Sequence, residues 1–145
     1  MRPHSIVMFE RLFLASLALS LLGSLLAFDA VVDEMTRDPA VQQMGLGGGF
    51  VGAVLAIGLV VYLLLWFLIA RKASNIAKWI LVVFVAIGVI SLLVSMTQGF
   101  TADLPTLLGL VNYALELAAV SFLFRSDAVA WLTGEAAPAD PTTFE

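Results

Sequence analysis

The residue best placed to do chemistry in this sequence is a glutamate in the middle of a long, otherwise uncharged stretch. Glu116 lies within Leu104 to Phe124 (LPTLLGLVNYALELAAVSFLF), and Asn112 stands four residues before it. On a helix that spacing puts the amide and the carboxyl on one face, one turn apart. Gly109 and Ala119 share that side, so a polar stripe runs along an apolar helix. A carboxyl taken out of water disfavours its charged form, and the protonated form is expected unless a cation approaches. Two readings follow. In one, Glu116 binds a proton or cation that is exchanged during transport. In the other, a protonated carboxyl donates a hydrogen bond between helices and fixes their rotation, a contact worth about 0.6 kcal/mol in membranes. Ser20 and Ser91, at matching depth on other stretches, are the candidate neutral partners.

Other reactive groups are scarce. The absence of cysteine excludes thiol–disulfide exchange and thiolate metal sites. The single histidine, His4, excludes a haem held between two histidines of one chain. Asp29, Asp33, Glu34 and Asp38 form an acidic group that could attract a divalent cation, but without a nearby histidine it reads as a solvated loop. No catalytic, cofactor or metal constellation emerges, so no enzyme is expected. A membrane enzyme acting on lipid would need polar groups clustered at one interface, and these four acids are all the sequence offers. The net charge of −4 and the lack of a basic cluster argue against nucleic acid as a partner.

The elements that must position Glu116 are apolar. Hydrophobic residues make up 61% of the 145 and charged residues 12%, against roughly 45–50% and about 25% in soluble domains. The excess falls into four runs, at 12–28, 50–70, 79–97 and 104–124. Each is within the roughly 17–25 residues that a helix needs to cross the hydrocarbon core. Backbone polar groups in lipid must be satisfied internally, so each run is predicted to be helical. The first run could instead be a signal peptide. Glu10 in the would-be basic region and the lack of a small-x-small cleavage pattern at 26–30 favour a retained helix.

Arg2, Arg11, Arg71, Lys72, Lys78 and Arg125 flank the runs on one side, and Arg37 alone lies on the other. Basic residues are retained in the cytoplasm, which places both termini inside. Trp66, Trp79 and Trp131 fall near the same boundary, where they are expected to act as anchors. The expected layout is a cytoplasmic N-terminus at 1–11 and an outer loop at 29–49. Asp38 caps a short helix there near 39–44, and Gly45 ends it. A basic cytoplasmic loop follows at 71–78, and a second outer loop at 98–103, with Pro105 in the first turn of the last span. An interfacial helix at 125–134, capped by Ser126 and stopped by Gly134, precedes a disordered tail at 135–145. The outer loop reads either as a mobile lid or as a surface helix over the bundle.

Short connections make neighbouring spans antiparallel. The predicted fold is therefore an all-α, up-down, integral membrane four-helix bundle, with N- and C-termini in. Helices in lipid associate where small residues let backbones approach. Ser16, Ser20 and Ser24 supply such a face on the first span, and Gly88, Ser91 and Ser95 on the third. Gly48, Gly52 and Ala56 form a stripe on the second. It reads as an internal seam or as the surface of a homodimer or larger membrane complex.

The stretches Ala70-Arg71-Lys72-Ala73-Ser74-Asn75-Ile76-Ala77-Lys78-Trp79 and Phe122 to Leu132 (FLFRSDAVAWL) resemble parts of small, uncharacterised four-span bacterial inner-membrane proteins. That resemblance implies a bacterial inner-membrane location and no particular activity. Small multidrug-resistance transporters are also short four-span proteins with an essential membrane glutamate. Their acid lies in the first span, which has none here, so their activity is not carried over. The sequence thus leads to a non-enzymatic structural or accessory membrane component, with a small proton- or cation-coupled transporter or channel using Glu116 as the alternative.

Overall fold

The computed structural model describes residues 2–98 and 104–134. The loop expected after Gln98 and the tail expected at 135–145 lie outside them. The described residues form seven helices and no strand: α1 (His4–Leu26), α2 (Phe28–Arg37), α3 (Pro39–Gln43), α4 (Gly48–Lys72), α5 (Asn75–Gln98), α6 (Leu104–Phe122) and α7 (Ser126–Thr133). Three of them, α1, α4 and α5, are long and apolar enough to cross a membrane. α6 and α7 meet that test only together and bend by 68° at the break between them, so the candidate spans number three or four. α1 packs most extensively on α6 and also on α4, while α5 lies against α4 and α6.

The helices overrun the apolar runs because their polar ends find partners. α1 begins at His4 rather than at Leu12. Glu10, on this added length, pairs with Arg2 and, across to the end of α4, with Arg71 at 3.3 Å. The first N–H groups of α1 have no partner within their own helix. Asp127 of α7 supplies one, accepting from the Ser5 backbone N–H at 3.1 Å. Partial burial pushes the Asp127 carboxyl up, but hydrogen bonds from Ser5 and from the α7 backbone outweigh that and hold it below the usual carboxylate range. Ser126 does not cap α7 as expected. Arg125 occupies the cap position without a side-chain hydrogen bond, and Gly134 ends the helix at φ 72°.

The expected loop at 71–78 shrinks to Ala73 and Ser74. Ala73 takes a left-handed conformation (φ 51°), and Ser74 Oγ caps α5 by accepting from the Ala77 N–H at 3.2 Å. Lys78 therefore sits in the first turns of α5, only 5% exposed, with its ammonium 4.6 Å from the Phe124 ring and 5.4 Å from the Trp79 ring. The tryptophans divide. Trp79 is exposed, while the indole N–H groups of Trp66 and Trp131 are buried without a hydrogen-bond partner.

Residues 29–37, read above as loop, are helical, and Phe28, read as the end of the first span, begins that helix. Phe28, Val31, Val32 and Met35 recur at helical spacing, with Asp29, Asp33 and Glu34 on the other side. Phe28 and Val32 lie against Gly48 at the start of α4, so the first residue of the glycine stripe is covered from within the chain. Asp38 Oδ1 then accepts from the Ala40 N–H at 2.8 Å to start α3, and Gly45 (φ 65°) follows it.

Buried side chains concentrate at the end of the molecule that carries the start of α1 and the whole of α7. Phe9, Phe13, Ile69, Leu81 and Leu123 are fully buried there. Phe9 stacks on Phe13 at 5.3 Å, Phe13 on Tyr62 at 6.0 Å, and Tyr62 meets Phe84 at 6.1 Å. This ladder leads from the core to the place where the helices separate.

Candidate functional site

Glu116 stands at that separation. It is 6% exposed, and the Asn112 amide donates to its Oε1 at 3.1 Å. The i,i+4 spacing on α6 fixes this pair, as the sequence predicts. Both residues line a cavity of about 370 Å³. α1 contributes Ser20 and Ser24 to its wall, α4 contributes Gly58 and Tyr62, α5 contributes Gly88, and α6 contributes Tyr113 as well. A second cavity of about 310 Å³ shares Ser20, Ser24, Asn112 and Tyr113 and extends past Gly109 to Ala27 and Val31.

Two of the predicted partners part company. Ser20 reaches the cavity with Glu116 and Asn112. Ser91 is exposed, does not line either cavity, and its carbonyl accepts from Ser95 Oγ at 3.0 Å. α5 faces the cavity through Gly88, about one turn earlier, so matching depth alone misplaced the α5 partner. Ser16, the most buried of the α1 serines, turns its hydroxyl to the Phe13 carbonyl at 2.8 Å.

Tyrosine was the residue type missed. The chain has two, Tyr62 and Tyr113, and both line the cavity with Glu116. The signal was present, since these are the two phenols in long apolar runs and Tyr113 is adjacent to Asn112. Tyr62 is held between Phe13 and Phe84. Tyr113 lies over Gly88, where an added Cβ would stand 2.8 Å from the ring, so the glycine makes room for it.

The chemistry of the site is that of an acceptor. Asn112 spends a donor on Glu116, and its own Oδ1 is buried without a partner. No Lys, Arg or His lines either cavity. No group of three or more His, Cys, Asp or Glu suited to a metal ion occurs among the described residues. The arrangement can hold a proton, or a cation whose charge the carboxyl would balance. No protein family, curated protein or solved structure matches this chain.

Proposed function

We propose that this chain is a small, non-enzymatic, multi-pass protein of the bacterial inner membrane, in which Glu116 exchanges a proton for a cation inside the cavity. On this reading α1, α4, α5 and α6 form an up-down four-helix bundle with both termini cytoplasmic, and α7 lies at the interface. The contacts of Glu10 with Arg71, Lys78 with Phe124, and Ser5 with Asp127 support it. They bring Arg71 and Lys78 together with the start of α1 and the start of α7 at one end of the molecule. The observation that carries the function is the position of Glu116. A carboxyl costing about 2.5–3.5 kcal/mol at a bilayer centre lines a cavity with hydroxyls and an amide instead of closing a dry seam.

Infrared difference spectroscopy of the full chain in lipid, over a pH titration, tests this reading. A protonated-carboxyl band that appears and vanishes with pH, and is missing in Glu116→Gln, is expected. A spectrum unchanged by pH or by the substitution removes proton exchange at this residue. Proteoliposome flux that responds to neither would remove transport.

One observation favours a second reading, an accessory subunit. Gly52 meets nothing within 4 Å, and Ala56 and Ile57 are exposed beside it. A second copy or another membrane protein could cover that face. Cross-linking through Ala56→Cys in native membranes would capture a discrete partner band, and its absence would count against the subunit role.

A further inference from the structure

We infer that the cavity takes a protonated amine carrying an apolar group, with its ammonium at Glu116 and Asn112 and its apolar part against α1 and α4. This rests on the reading of Glu116 as a cation-exchanging group and names the class of cation. Four features of the site converge on it.

The first is charge. Among the described residues the lining offers one acid and no base, so a bound anion would be repelled and a bound cation balanced. The second is hydrogen bonding. Glu116 and Asn112 together present more acceptor atoms than donors, and Asn112 Oδ1 has no partner although it is buried. A buried acceptor without a partner is destabilising. An ammonium brings N–H donors of the kind this pair lacks, whereas a quaternary nitrogen brings none.

The third is the pair of phenols that line the cavity with Glu116. Tyr62 and Tyr113 are held by their own neighbours, Phe13 and Phe84 for one and the space at Gly88 for the other. Side chains held in place before binding meet a ligand at little entropic cost. The fourth is shape. Leu17, Leu21, Val54, Leu55 and Leu59 make the rest of the wall apolar, which suits a carbon skeleton and not the oxygen cage that a bare metal ion needs. A volume of about 370 Å³ falls at the small-molecule end of ligand pockets, roughly 300–1,000 Å³.

The test uses the full-length protein in detergent with three probes of nearly one shape: phenethylamine, its N-trimethylated analogue and phenethyl alcohol. Calorimetric titration is expected to give the amine at least about tenfold tighter binding than either of the others, the size of one charge-assisted hydrogen bond. Glu116→Gln should bring the amine down to the level of the alcohol. Asn112→Ala should bring the amine and the trimethylated analogue together. Equal binding of amine and alcohol in the wild type overturns the inference, as does equal or tighter binding of the trimethylated analogue. Competition by sodium or potassium at similar concentrations would also overturn it. Should Asn112→Ala fail to fold, the three probes on the wild type decide alone. A titrating Glu116 carboxyl band with no preference for the amine ends this inference and leaves proton exchange standing. A carboxyl band that never titrates ends the broader reading.

Discussion

The two ends of this molecule use the same helices in opposite ways. At the terminal end, Phe9, Phe13, Ile69, Leu81 and Leu123 interlock with no exposure at all. At the distal end Leu25, Leu26, Ile57, Ile90 and Leu93 are exposed, and Val51 is the one buried hydrophobic residue among those described. The difference comes from side-chain size. Large aromatic and branched residues fill the terminal end. The distal parts of α1, α4 and α6 carry Gly23, Gly58 and Gly109, where an added Cβ would meet nothing within 4 Å. Small residues in a membrane helix are usually read as sites of close approach. Here three of them leave room: Gly58 lines the cavity at Glu116, and Gly23 and Gly109 line the second cavity beside it. A rigid base that holds one wall of an open site is the arrangement a small binding protein needs.

The largest effect expected from breaking this contrast is at the base. Phe13→Ala removes a fully buried ring that stacks on both Phe9 and Tyr62, and should cost about 3 kcal/mol. Leu21→Ala, in the cavity wall and 45% exposed, should cost under about 0.5 kcal/mol. Unfolding in detergent measured on both variants checks the pair, and equal losses would contradict a division into tight and open ends. Gly88→Ala comes next. Its Cβ collides with the Tyr113 ring, and a cost of about 1–2 kcal/mol is expected, together with a changed tyrosine ultraviolet signature. Gly58→Ala faces open cavity and should change stability little.

Smaller again is the ion pair between helices. Glu10→Ala releases Arg2 and Arg71 and should cost about 1 kcal/mol, falling with added salt. The smallest effect concerns Asp127, a half-buried group. Its carboxyl is held below the usual range in the folded chain, so its contribution is fully present above the unfolded value of about 3.9. That contribution fades as pH falls through the folded value. The protection factor of the Ser5 amide, its exchange referred to the intrinsic rate at each pH, should therefore fall at acid pH, and Asp127→Asn should flatten that dependence.

Four apolar stretches, the pairing of Asn112 with Glu116 and the Asp38 cap were all legible, because each depends on residues within one turn or one run of the chain. α2 was legible too, in the spacing of Phe28, Val32 and Met35, but its charged side reads as loop when the helix is short. The partners of Glu116 were harder. Ser20 and Ser91 are equivalent by depth, and only the rotation of α5 about its axis decides between Ser91 and Gly88 as the residue facing inward. Segments apolar on every side carry no periodicity from which that rotation could be read.

The sequence by itself determined that this is an all-helical chain with stretches fit for a bilayer. It also determined that a single carboxyl lies inside one of them with an amide one turn away. Hydropathy and i,i+4 spacing are local properties, and they survive without knowledge of the neighbours. Only the tertiary structure decided that the small residues of the distal end surround space, that both tyrosines converge on Glu116, and that Asp127 closes the start of α1. Those outcomes depend on how helices rotate and where bulky rings wedge them together. Packing between distant segments sets that, and no single stretch of sequence encodes it.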